Sequence, residues 1–152
     1  MKQQKYTLNE IQVSYRNRLS IKEHEKVISS KHAKEVLYHL WDKDTIALHE
    51  SFKVLLLNNS NKFKGVYELS KGGITGALVD IRILMAIALK TLSTALIVAH
   101  NHPSGILCPS DADIKITKKI QRACKYFDIK LLDHIILSPS GEYYSFADQR
   151  IL

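Results

Sequence analysis

The 152-residue chain has little of what staples, punctuates or anchors a protein. Its two cysteines, Cys108 and Cys124, are too few for a disulfide framework. Three prolines and six glycines supply no low-complexity linker, and the sequence has no internal repeat. No apolar run approaches the ~20 residues that span a bilayer, and the polar residues 1–9 lack the apolar core of a secretory signal. These absences make a cytoplasmic protein without membrane contact the expectation. Acids are also scarce, with 15 Asp and Glu against 22 Lys and Arg, a net charge of +7. The excess is local: residues 1–34 carry eight basic and three acidic side chains, and residues 114–130 carry six and one. Such patches attract acidic protein surfaces or nucleic acid, and they equally keep a helix face solvated.

What is present is apolar patterning, at 45% of the chain, enough for the core of one domain. Ile11, Val13 and Tyr15 alternate as a short strand would, and residues 16–26 read as loop. Ser29 and Ser30 offer N-caps to a helix over 31–41, whose Ala33, Val36, Leu37, Leu40 and Trp41 recur at helical spacing. His32 and His39 on it are surface or boundary residues. The run 52–57, the turn residues 58–61 and the stretch 66–69 predict a β-hairpin. Gly72, Gly73 and Gly76 mark a bend before a short strand ending near Val79. Asp80 caps a helix with the stripe Ile81, Leu84, Met85, Ala88 and Leu89, and 95–99 reads as a buried central strand. Ile116, Ile120, Ala123, Cys124 and Phe127 predict a further helix with Lys118, Lys119, Arg122 and Lys125 on its other faces. A strand over 131–137, a turn at 139–141 and an edge strand over 143–146 complete an α/β fold with a mixed sheet and flanking helices.

The chemistry concentrates in residues 99–114, AHNHPSGILCPSDADI. His100 and His102 lie two apart at the end of the apolar run, so an extended backbone sends both imidazoles to one side. Pro103 and Gly105 allow a sharp turn that returns Ser110 and Asp113. Two imidazoles and a carboxylate make the ligand set of a catalytic zinc site, which leaves a fourth position for water. Ser110 and Asp113 also read as a helix capping box, and the two readings are compatible because the helix dipole favours a carboxylate in the first turn.

His100-x-His102-Pro103, seven residues, then Ser110-x-x-Asp113 is similar to the metal-binding signature of the JAMM (JAB/MPN) metalloproteases. The fuller pattern HNHPSG, PS, DI and T, followed by LLDHIILS over 131–138, resembles the RadC branch of that group. The resemblance implies a cytidine-deaminase-like JAB/MPN fold over 30–152 behind a basic N-terminal arm at 1–29. Longer members of that branch carry an N-terminal helix-hairpin-helix region, for which this chain has no room. It further implies Zn2+ held by His100, His102 and Asp113, acidifying its water and polarising a carbonyl for hydrolysis of a peptide, isopeptide or other amide bond. JAMM enzymes use an upstream glutamate as base. Aligning residues 68–73, ELSKGG, with RadC-type proteins points to Glu68, with Glu50 as the other candidate. By the same resemblance Ser110 donates a hydrogen bond to the oxyanion. Asp133 and His134 are read as structural or supporting residues, since three ligands already complete the site. Cys108 is a thiol that the JAMM pattern does not call for.

The zinc deaminases share the implied fold but need H-x-E and P-C-x-x-C, where this chain has His100-Asn101-His102 and Cys108-Pro109-Ser110. The rival reading is a DNA-repair-associated protein, the role for which RadC was named, acting as a metal-dependent nuclease or a non-specific DNA-binding module. A third reading is a domain whose metal has no chemical role, against which the intact ligand motif counts. No helix-turn-helix or RNP-type pattern favours specific recognition of nucleic acid.

Overall fold

A computed structural model describes residues 12, 14–16, 25–72 and 79–152. Ile11 and Val13 of the expected N-terminal strand lie outside the described residues, as do Gly73, Gly76 and the body of the short strand expected before Val79.

The first helix, α1 (Ser30–Leu40), starts where Ser29 turns its hydroxyl back to accept the backbone N–H of His32. The hairpin follows as β1 (Ser51–Leu57) and β2 (Phe63–Lys71), with the Asn58 carboxamide accepting the N–H groups of Ser60 and Lys62 across the turn. β2 is longer than its apolar residues suggest, because it is an edge strand with exposed Val66, Tyr67 and Glu68 and carries no alternation to read. Asp80 caps α2 (Ile81–Lys90) by accepting Arg82 N–H. β3 (Ala95–Asn101) is buried along its whole length, as a central strand covered on both faces must be. Then come α3 (Asp111–Tyr126), β4 (Lys130–Leu137) and the short β5 (Tyr143–Ser145).

The strands form one mixed sheet in the order β2-β1-β3-β4-β5, with β3 and β4 parallel and the other pairs antiparallel. Strand alternation divides the core in two. On one face Leu55, Leu57, Ile97, Ala99, Ile135 and Leu137 pack against Ala33 and Leu37 of α1 and Trp41 at its C-cap. On the other, Phe52, Val54, Leu56, Leu96 and Val98 pack against Leu84, Met85 and Ala88 of α2 and Ile120 and Cys124 of α3. Fully burying each such side chain contributes on the order of 2 kcal/mol. His100 is next in the series Leu96, Val98, so it emerges at the end of β3 on the face covered by α2 and α3.

Candidate metal centre

His100 is buried, and its ring stacks on Phe52 of the neighbouring strand at 5.9 Å and 4°. That partnership follows from the register, which sets Phe52 opposite His100. After Asn101 the chain leaves the sheet. Gly105 N–H donates to the His102 carbonyl with Pro103 in between, and Gly105 takes φ +79, a value that strains other residues. The turn lets the Ile106 carbonyl reach His102 Nδ1 at 2.6 Å. A carbonyl only accepts, so Nδ1 carries the hydrogen and the neutral ring presents a bare Nε2.

Ser110 caps α3 in a complete capping box: its hydroxyl accepts Asp113 N–H, and the Asp113 carboxylate accepts Ser110 N–H at 2.7 Å. The Ser110 hydroxyl hydrogen goes to Asp113 Oδ2 at 2.8 Å. This fixes the carboxylate over the histidines, with Oδ1 3.2 Å from His100 Nε2 and Oδ2 3.6 Å from His102 Nε2. The two Nε2 atoms are 2.9 Å apart. One ligand atom from each of His100, His102 and Asp113 therefore lies within 4.8 Å of the others, in the only such His/Cys/Asp/Glu group among the described residues.

Three acceptors converging on one point need a cation between them, which is the test a metal site must pass. Without a metal, a proton takes that part. The Asp113 carboxylate, acting against burial, holds the His102 imidazole above its ordinary pKa, helped by the Ile106 carbonyl and the charge of Glu50. Burial would raise the Asp113 carboxyl, but its contacts with the two histidine rings and the Ser110 N–H outweigh it and hold the group far below the usual range.

A cleft of about 210 Å³ opens onto this group, lined by Glu50, Phe52, Val79, His100, Asp113 and Ile116 among others. Glu50 shares the parity of Phe52. Its charge acts on the His102 imidazole. Its backbone is held by Gly72 N–H, which donates to the Glu50 carbonyl at 2.8 Å. The structure does not bring Glu68 to the group. Glu68 pairs in register with Lys53, one residue out of phase with Phe52, and its carboxylate meets Lys53 Nζ at 3.0 Å on the α1 face, where Lys53 lies over Trp41. The expected order of the two glutamates is thus reversed by position. A larger open depression of about 700 Å³ beside Arg122, Lys125 and Lys130 does not hold the His/Asp group.

Asp133 points away from the centre, accepting from Ser145 Oγ at 2.6 Å and from the N–H groups of His134 and Ala147. It ties β4 to the C-terminal turn. His134 turns the other way, with Nε2 2.8 Å from His100 Nδ1. Cys108 is exposed, and among the described residues its thiol meets only the Pro109 carbonyl. Asn101 is the contributor that local sequence reading passes over. Buried on the face opposite the histidines, its side chain donates to the carbonyls of Ile46 and His49 and accepts Ser51 N–H, fixing the loop that delivers Glu50. The alternation within His100-Asn101-His102 was the available signal.

A family model described as the RadC-like JAB domain matches residues 27–151. A UPF0758 protein of Flavobacterium johnsoniae is 52% identical over 103 residues, 68% of this chain and 44% of the relative. UPF0758 proteins of Porphyromonas gingivalis and Cellvibrio japonicus are 43% and 44% identical over 68% and 66% of this chain. The matches span less than half the length of these curated relatives. The described residues include no helix long and apolar enough to cross a membrane.

Proposed function

Since the chain belongs to the RadC-like JAB domain family, we propose that it is a zinc-dependent metallohydrolase cleaving a peptide, isopeptide or other amide bond. The supporting observation is the convergence of His100 Nε2, His102 Nε2 and the Asp113 carboxylate beside a cleft that Glu50 also lines. A divalent ion at that point supplies Lewis acidity toward a carbonyl oxygen and makes water a stronger acid. The chain's own residues do the rest. Glu50 takes a proton from the water attacking the amide carbon and returns it to the amine as the C–N bond breaks. Phe52 and Ile116 shape the apolar wall beside which the substrate lies, and the Ser110 hydroxyl, bonded to Asp113, becomes a donor to the oxyanion once its hydrogen leaves that carboxylate.

The test is metal analysis of protein purified without chelator, followed by hydrolysis assays on peptide, isopeptide and DNA panels. About one zinc per chain and turnover of an amide substrate are expected. Metal absent from the wild type, or retained in full after His100→Ala with His102→Ala, would remove the reading.

The charge along α3 favours a second reading. Lys115, Lys118, Lys119, Arg122 and Lys125 are all exposed there, a basic face that suits weak, sequence-indifferent association with a nucleic-acid backbone. Cleavage of DNA but not of amides by the same centre would make it a metal-dependent nuclease.

A further inference from the structure

His134 is fully buried, yet both its ring nitrogens have polar partners. Its ring stacks on Phe146 at 4.7 Å and meets the edge of Phe52 at 5.5 Å, an environment that an apolar ring would fill as well. The nitrogens explain the histidine. Nδ1 lies 2.6 Å from Thr117 Oγ1, Nε2 lies 2.8 Å from His100 Nδ1, and Thr117 Oγ1 lies 2.5 Å from the Asp113 carbonyl.

The hydrogens in this chain can be placed by elimination. The Asp113 carbonyl has none, so the single Thr117 hydroxyl hydrogen must lie between Oγ1 and that carbonyl, or two acceptors would face each other at 2.5 Å. Thr117 then has only lone pairs for His134, whose Nδ1 must donate. In a neutral imidazole Nε2 is then bare and accepts, so His100 Nδ1 carries the hydrogen. The end of the sequence is a bare Nε2 on His100, aimed at Asp113 and His102.

We infer that Thr117 and His134 are positioning residues that lock His100 in the tautomer a metal ligand needs. This rests on the reading of His100 as a ligand. The relay begins on the backbone of Asp113 and ends on His100, so α3, β4 and β3 are joined by one chain of hydrogen bonds whose two ends meet again at the Asp113 carboxylate. His102 needs no such relay because Ile106 fixes its ring directly. A helix residue seven after Ser110 and a strand residue 34 after His100 thus set the orientation of the buried ligand.

The test is histidine tautomer assignment by nitrogen-15 NMR on metal-free protein, with zinc affinity measured by competition against a chromophoric chelator. Wild type should show His100 and His134 both protonated on Nδ1. Thr117→Val keeps the shape and removes the hydroxyl, so both rings should lose that fixed tautomer and zinc affinity should fall about 10–100-fold. Thr117→Ser should restore both readouts, which a role in packing alone would not predict. His100 protonated on Nε2 in wild type, or unchanged tautomers and affinity in Thr117→Val, would overturn the inference. If Thr117→Val does not fold, the wild-type tautomers and a Thr117→Ser protein matching wild type still decide it. If wild type binds no zinc, the hydrolase reading fails while the tautomers still report on the relay.

Discussion

Glu68 Oε2 lies 3.0 Å from Nζ of Lys53, on the side of β1 opposite Phe52 and the histidines. A carboxylate held there has no path to the cleft, whereas Glu50 lines it. Glu50→Gln keeps the size and hydrogen bonding of the side chain but removes its basicity, so turnover should fall by ~100-fold or more with zinc retained. Glu68→Gln should leave turnover near wild type and cost under about 1 kcal/mol in a urea titration, the scale of a half-exposed ion pair. A large loss from Glu68→Gln with none from Glu50→Gln would reverse the assignment.

Ser110 does two things at once: it caps α3 and it holds the carboxylate of Asp113. Ser110→Ala should therefore cost about 1 kcal/mol of stability through the missing cap. It should also weaken zinc binding, because Asp113 Oδ2 loses the hydroxyl that fixes it. Ser110→Thr keeps the oxygen and should recover most of both. If Ser110→Ala lowers turnover alone, with stability and zinc affinity intact, the hydroxyl serves the reaction and not the framework.

The helices were legible because each has a cap and an apolar stripe: Ser29 before α1, Asp80 before α2 and Ser110 before α3. The candidate metal-binding group was legible because its residues fall within fourteen positions, so the parity of His100 and His102 and one turn suffice to gather them. The choice between Glu50 and Glu68 was not local. It depends on the pairing of β1 with β2, which shifts between Phe52 and Lys53 and changes which β2 residues share a face with the site. His134 reads from the sequence as a supporting residue, but its link to Thr117 was hidden. Each looks like an ordinary core position in its own element, and only the packing of α3 on β4 makes their nitrogen and oxygen atoms meet.

The basic face of α3 is separate from its buried face, which carries Thr117, Ile120 and Cys124. Charge reversal at Lys118, Lys119 and Arg122 should thus weaken DNA binding without altering zinc content. Binding of wild type to a labelled duplex should be weak, independent of sequence and steeply reduced by salt. Each phosphate that the protein neutralises adds about 0.9 to the steepness of log affinity against log salt, so the charge-reversed variant should show a shallower line. Tight, sequence-specific binding at physiological salt would put recognition of nucleic acid ahead of hydrolysis.

Two histidines should give the metal-free protein a stability optimum in pH. Burial holds His134 well below its ordinary value, so the native ring stays neutral when the unfolded chain takes up a proton. Below about pH 6.5 the unfolded state binds a proton that the native state lacks, and stability falls by at most about 1.4 kcal/mol per pH unit from this group. His102 behaves in the opposite sense. Its pKa is raised by Asp113, so its contribution is fully present below about 6.5 and is lost as pH rises through the higher native value. The depressed Asp113 carboxyl adds an acid loss only below the ordinary carboxylate range, outside this window. Urea midpoints in chelator from pH 5 to 8 should then peak at about 6.5. His134→Gln should flatten the acid limb, and His102→Gln the alkaline one. Added zinc should invert the alkaline limb, because binding displaces the His102 proton and becomes easier as pH rises. A metal-free stability that climbs steadily from about pH 6.5 to 8 would mean that His102 holds no extra proton in the native state. The picture of three acceptors sharing one cation would then have to be given up.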